Sequence, residues 1–345
     1  MNGFLPVTPK EVKARGWARP DFVYVTADAY VDHPSFGLAI ISRVLENAGY
    51  KVAMLPQPRW RDCADFTVFG APRLGFLVSG GVIDSMVNHF TAAKKPRSED
   101  VYSPGGEAGH RPDRATIVYA NRIREAYPHT PILIGGVEAS LRRFAHYDYW
   151  DDRVRNSILV DSGADLLMYG MGERSILEAA RWLETGRPLS DSEIPGTCVM
   201  RKTPVPGYEI VSSMEEVARD KRLYAQAYRT QYQEQDPVRG RGVCQKHAAR
   251  YLIQHPPAMP LSTKELDAVY DLPYMRAWHP MYDAAGGVPA LSEVKFSLTS
   301  CRGCFGACNF CALTFHQGRI VTSRSKESLL KEARLLTTLP DFKGY

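Results

Sequence analysis

Short apolar runs and stretches of helical periodicity alternate along the first half of the chain. Phe22–Thr26 is a β-rich apolar run. Gly37–Ala48 follows, with Leu38, Ile41, Val44, Leu45 and Ala48 at helical spacing. Lys51–Leu55 and Leu74–Val78 read as the next two strands. Ala115–Tyr127 is predicted helical, with Ile117, Ala120, Ile123, Arg124 and Tyr127 near one face. Pro131–Ile134 and Asp165–Tyr169 are the fourth and fifth strands, and Ser175–Leu183 is the helix after the last of them. This alternation predicts an α/β fold with a doubly wound, largely parallel sheet, a Rossmann-like domain over residues 1–190.

Ligands of such sheets bind at the carboxyl ends of the strands. Those ends carry Asp28-Ala29-Tyr30-Val31-Asp32-His33-Pro34, Ser79-Gly80-Gly81, Gly135-Gly136-Val137-Glu138 and Gly170-Met171-Gly172-Glu173. The glycines suit either close approach of backbone to a cofactor or tight strand-to-helix turns. GMGERS is not a full dinucleotide fingerprint. Ser175 stands where the last glycine belongs, and the string follows the fifth strand, not the first.

Two polar stretches interrupt the pattern. Asp84–Arg114 is too polar for a core and too long for an idle loop. Leu141–Arg155 sets Phe144, His146, Tyr147, Tyr149 and Trp150 among arginines and aspartates, which predicts an amphipathic helix with most aromatics turned inward. Residues 191–291 read as a connecting region. It has a turn-rich stretch with a short β pair (Pro188–Gly207), a helix over Met214–Gln235 and the extended linker HPPAMPL. A capping box at Ser262 and Glu265 then starts a short helix. Val294–Leu298 is predicted as a strand, and Lys326–Thr337 as a helix capped by Ser325.

Composition narrows the function classes. Against 38 acidic residues stand 43 basic ones, a net charge of +5 that is too mild to indicate nucleic acid. No apolar run reaches membrane length, and the first residues lack the apolar core of a signal peptide. Cys63, Cys198 and Cys244 are isolated, as free thiols in a reducing cytoplasm would be. His33, His89, His110 and His146 have no metal spacing and read as ordinary hydrogen-bonded histidines.

The remaining four of the seven cysteines crowd into one loop: Cys301, Cys304, Cys308 and Cys311. Thiolates so close repel unless a metal lies between them. Two donor sets remain open. All four could close a zinc site or an electron-transfer cluster, giving a non-catalytic binding module. Alternatively Cys304, Cys308 and Cys311, spaced C-x3-C-x2-C, could hold three irons of a 4Fe-4S cluster. The fourth iron would then take a non-protein ligand, with Cys301 as a bystander.

The second spacing, with aromatic Phe310 before the last cysteine, resembles the radical SAM signature. That resemblance implies a 4Fe-4S cluster on Cys304, Cys308 and Cys311, and S-adenosylmethionine on the open iron with Phe310 beside its adenine. The implied activity is reductive cleavage to a 5′-deoxyadenosyl radical, fed by a flavodoxin- or ferredoxin-type electron donor. Longer strings are similar to the YgiQ-type radical SAM family: DAYVDHPSFG, SMVNHFTAAKKPRSEDVYSPGG, RPDRATIVYANRIRE, GGVEASLRRFAHYDYWDD, ADLLMYGMGERSI, LSTKELDAVYDLPY, HPMYDAAGGVPA and RGCFGACNFCALTFHQGR. The first domain resembles the cobalamin-binding-like domain that precedes many radical SAM cores, with GGVEA and GMGE in its late turns. Domains that ligate cobalt through histidine use D-x-H-x-x-G. Here Asp32 and His33 are adjacent and Gly37 falls one residue late, so His33 is not assigned to cobalt and cobalamin is in doubt. Residues 292–345 would be the beginning of the radical SAM barrel. A partial barrel of about six β/α units needs ~180 residues. From Val294 onward the chain has roughly 50, with a second strand only starting at Asp341–Tyr345. The expectation is therefore a longer protein, or a second chain that completes the barrel.

Overall fold

A computed structural model describes residues 3–308 and 310–344. Its centre is one nine-stranded sheet. In chain order the strands are β1 (Phe22–Thr26), β2 (Val52–Pro56), β3 (Gly75–Ser79), β4 (Ile132–Gly135), β5 (Leu166–Met168), β6 (Thr197–Arg201), β7 (Glu209–Val211), β8 (Val243–His247) and β9 (Arg250–Gln254). Across the sheet they run β7-β8-β9-β6-β5-β4-β3-β1-β2. The half from β5 to β2 is all parallel. Its order, 2-1-3-4-5, is that of a flavodoxin-like sheet.

The helices that matter for the site are α1 (Gly37–Asn47), α2 (Ala115–Ala126), α3 (Gly136–Leu141), α4 (Glu173–Glu184), α5 (Met214–Arg219), α6 (Lys221–Gln233), α7 (Thr263–Tyr270), α8 (Leu313–His316) and α9 (Lys326–Thr337). All five residues of β1 are buried, as a parallel strand covered on both faces requires. Side chains alternate across the pleat. Phe22 and Tyr24 join Leu38 and Leu45 of α1 and Ile176 of α4 on one side. Val23 and Val25 join Tyr119, Ala120 and Ile123 of α2 on the other. Truncating a wholly buried side chain such as Ile123 to alanine would cost about 2–5 kcal/mol.

Several expectations are corrected. Residues 191–291 do more than connect: β6 to β9 extend the same sheet past residue 190, antiparallel from β5 to β8. Met214–Gln235 is two helices. Ser213 caps α5 in a capping box with Glu216, and extended Asp220 ends that helix and caps α6. Leu141–Arg155 is not an amphipathic helix. His146–Asp148 and Arg153–Arg155 pair as a hairpin. Asp148 accepts the N–H groups of Trp150 and Asp151 at 2.9 and 3.1 Å, a turn that competes with helix. Phe144 is buried, but Tyr147 and Tyr149 are about half exposed. Val294–Leu298 is not a strand. Lys295 and Ser297 N–H donate back to Leu291 and Val294, because among the described residues no strand lies alongside to receive them. Residues 341–344 are irregular, and the rest of the strand expected there, Tyr345, lies outside the described residues.

The Asp84–Arg114 stretch is polar yet partly interior. Arg111 is 1% exposed and bonds Asp28 at the end of β1 (2.8 Å) and Asp100 (2.9 and 3.0 Å). Asp28 also accepts the Val82 N–H at 2.7 Å. A Cβ at Gly81, where φ is +100°, would fall 2.2 Å from an Asp28 oxygen, so only glycine fits that turn. This ion network ties the long polar stretch to the carboxyl ends of the strands.

Candidate functional site: the cysteine loop on the strand ends

The cysteine loop is framed by a two-residue ladder, with Cys301 opposite Ser323 and Arg302 opposite Thr322. Gly303 turns the chain out of that ladder at φ +88°. A Cβ there would lie 2.1 Å from the Ile320 carbonyl oxygen, so the turn excludes every other residue. Cys304 N–H then donates to Gly318 (3.1 Å), and Cys311 N–H donates to Cys308 (3.0 Å). Between these anchors Gly306 faces both neighbouring thiols: a Cβ on it would sit 3.4 Å from Cys304 Sγ and 3.8 Å from Cys308 Sγ.

All four loop cysteines are free. Cys304 and Cys311 are half-buried, while Cys308 and Cys301 are exposed. Phe310 is 92% exposed and Phe305 85%. Asn309 lies outside the described residues. The donor set fits an iron–sulfur cluster, being soft thiols on a glycine turn with no disulfide among them. Among the described residues no three His, Cys, Asp or Glu side chains converge as ion ligands, the loop cysteines included.

The segment C-terminal to the cysteines docks on the sheet. On α8, His316 Nδ1 meets the Ser140 hydroxyl of α3 at 3.0 Å. The Phe315 carbonyl accepts from Gln235 at 3.1 Å. Arg143 is buried beneath, bonded to the carbonyl oxygens of the Gln254 and Gln235 side chains and lying 4.8 Å over the Tyr169 ring. Burial lowers its pKa. Burial also pushes His316 down to about 4, so its imidazole is neutral at neutral pH.

The chain on either side of the loop is held by charge. Arg302 pairs with Glu173, the first residue of α4, and both are buried. Arg302 (5.2 Å) and Arg324 (4.4 Å) both lie over the Tyr270 ring. Arg324 and Arg276 both pair with Glu332 of α9, again buried. The cysteine loop is thereby fixed against the GMGE turn that ends β5. A cavity of about 110 Å³ opens there, lined by Leu38, Ser79, Gly81, Gly136, Glu173 and His316. It lies at the carboxyl ends of β1, β3, β4 and β5, where ligands of this sheet class bind.

The sequence located the cysteines, Phe310 and the glycine turns. It missed Ser140, Gln235, Tyr270 and Arg302, which join the loop to the sheet. Arg302, Ser140 and Tyr270 lie inside the motif strings RGCFGACNFCALTFHQGR, GGVEASLRRFAHYDYWDD and LSTKELDAVYDLPY, whereas Gln235 lies in none. His33 is wholly buried, accepting the Ser35 N–H (3.1 Å) and meeting Arg276 (3.2 Å). It does not belong to the walls of the strand-end cavity.

Comparison with known proteins agrees with the long motif strings. The profile described as Radical SAM N-terminal matches residues 4–297. This chain belongs to that family. A UPF0313 protein of Clostridium botulinum (strain 657 / Type Ba4) is 56% identical over 99% of this chain and 54% of its own length. One from Clostridium perfringens (strain ATCC 13124) is 58% identical over 100% of this chain and 53% of its own. The YgiQ-type expectation therefore holds, and the chain spans about half the length of the curated relatives it matches. Among solved structures, the radical S-adenosylmethionine methyltransferase TsrM from Kitasatospora setae, with tryptophan substrate and a SAM analog bound, has a TM-score of 0.49. It is 17% identical, over 92% of this chain and 45% of that one. No helix among the described residues is long and apolar enough to cross a membrane.

Proposed function

We propose that this chain is the N-terminal part of a radical SAM enzyme of the UPF0313 type, acting on a substrate held at the carboxyl ends of its sheet. Cys304, Cys308 and Cys311 would hold a 4Fe-4S cluster, with Cys301 outside the ligand set. When bound, that cluster supplies the electron for reductive cleavage of S-adenosylmethionine to a 5′-deoxyadenosyl radical. The observation that carries the reading is the loop itself: free thiols of Cys304 and Cys308 bordering one point at Gly306, with Cys311 tied back to Cys308.

The chain's own groups have separable parts in this. Gly303 sets the direction of Cys304. Phe310 offers a bare aromatic face for the adenine. The Arg302–Glu173 pair and the Ser140–His316 contact hold the loop over the GMGE turn, a positioning role. The exposed side of the loop, at Cys308 and Phe310, leaves an approach for a flavodoxin- or ferredoxin-type electron donor. Such a donor suits a cytoplasmic protein. The remaining β/α units would come from the further half that the relatives possess, or from a second chain. Cobalamin is not part of the proposal.

The test is anaerobic reconstitution, iron and sulfide analysis, and the EPR spectrum of the reduced protein with and without S-adenosylmethionine. Expected are about four irons per chain and a spectrum altered by S-adenosylmethionine. A colourless protein with one zinc would overturn the proposal and favour the four-cysteine binding module.

A further inference from the structure

Two cavities meet beneath the cysteine segment. The strand-end cavity shares Gly170, Met171 and His316 with a second one of about 60 Å³, whose walls also include Arg174, Arg302 and Arg319. Three observations give this second cavity a charge preference. Arg302 is only 7% exposed. One of its terminal nitrogens pairs with Glu173, and the other, Nη2, is buried with no hydrogen-bond partner. Arg319 Nε is likewise buried and unpartnered. That guanidinium lies 3.8 Å over the Tyr232 ring, reaches the Tyr232 carbonyl at 3.4 Å, and has no carboxylate in an ion pair with it among the described residues. Finally, α4 begins on the adjoining wall, behind Gly172, which supplies no side-chain cap, and the positive end of the helix adds to the local potential.

Arg174 is already paired with Glu265, and Arg302 with Glu173, so Arg319 is the positive charge left over. A buried guanidinium N–H with no acceptor is unfavourable and calls for an anion or water. Met171, Met259, Leu261, Leu266 and Ile320 supply an apolar part of the lining, beside the uncharged polar side chains of Gln235, Gln317 and Thr322. On the neighbouring wall Glu173 Oε2 is also buried without a donor.

We propose that this cleft binds a small organic anion. Its carboxylate or phosphate monoester accepts from Arg302 Nη2 and Arg319 Nε, and its apolar body lies against Met171, Leu266 and Ile320. A hydroxyl or amine on the same ligand donates to Glu173 Oε2. Calling this ligand the substrate rests on the function proposed above; the binding itself does not.

The probes are phenyl phosphate and benzoate, with benzyl alcohol as the uncharged control, titrated into the metal-free 345-residue chain by intrinsic fluorescence. Saturable binding of at least one anion and none of the alcohol is expected, and which anion binds identifies the headgroup. Arg319→Gln, at a half-buried side chain without an ion pair, should weaken binding roughly tenfold. Arg302→Lys, which keeps a charge for Glu173 but loses Nη2, should do the same. Bound anion should also slow proteolysis between residues 302 and 319. No saturable binding in the millimolar range, or unchanged affinity in both folded variants, would overturn the assignment. Because no metal is present, failure here leaves the cluster proposal standing, and failure of cluster assembly leaves this one standing.

Discussion

Ser140 and His316 meet at 3.0 Å although 176 positions separate them along the chain. The Ser140 oxygen also accepts the Gly170 N–H at 3.1 Å. One hydroxyl thus joins α3, the glycine turn after β5 and the helix beyond the cysteines. With His316 neutral, the serine O–H can donate to Nδ1 while its oxygen accepts from Gly170. Ser140→Ala should leave the sheet intact and release α8, at a cost of about 1–3 kcal/mol to that docking. Limited proteolysis should then cut between residues 302 and 319 faster than in the parent, with an unchanged circular dichroism spectrum.

Alanine at Cys304, Cys308 or Cys311 should each abolish stable iron incorporation after anaerobic reconstitution, whereas Cys301→Ala should retain it. Iron and sulfide analysis of the four variants decides the donor set. Loss of iron in the Cys301 variant alone would reverse the assignment.

Gly303→Ala should behave almost like a cysteine variant. Its Cβ would meet backbone, the Ile320 carbonyl, rather than a side chain able to swing away. The turn into Cys304 must then open. The expected outcome is poor iron loading with a thermal transition of the α/β sheet close to that of the parent.

Glu332 holds α9 through two buried arginines, Arg276 and Arg324. Glu332→Ala leaves both guanidinium groups without their carboxylate, a change worth about 3–5 kcal/mol for a buried pair. The helix should undock before the sheet unfolds. Hydrogen exchange over 326–337 should rise towards that of free peptide, while β1 and β3 stay protected.

Acid should destabilise the chain well above the carboxylate range. Burial pushes His33 down to about 3, and His146, His247, His255 and His316 to about 4. In the unfolded chain these groups take up protons near pH ~6.5, so between there and about pH 4 the unfolded state binds more of them. Their contribution is complete above about pH 6.5 and falls as pH drops, by about 1.4 kcal/mol per pH unit for each histidine. Asp28 and Asp32, raised by burial, act in the opposite sense. Urea titrations from about pH 7.5 down to about pH 5 should show a falling midpoint, and a flat profile would contradict the histidine burial.

The parallel half of the sheet is written in the chain, because a strand covered on both faces must be a continuous apolar run and its helix must carry a stripe. Both patterns are local, so β1, α1, β4 and α4 fall within a residue or two of their expected limits. The cysteine chemistry is legible for the same reason, since ligand spacing is a local property. A short β pair was expected within Pro188–Gly207, but that β6 there joins the main sheet with β9 was not legible, because that pairing joins segments roughly 50 residues apart and depends on long-range closure. Nor did any pattern show that Arg302, Arg319 and His316 would share walls with the GMGE turn. Charged side chains have no periodicity that reports burial. Tertiary packing alone selects which arginine finds a carboxylate, as Arg302 does in Glu173, and which is left facing a cavity, as Arg319 is.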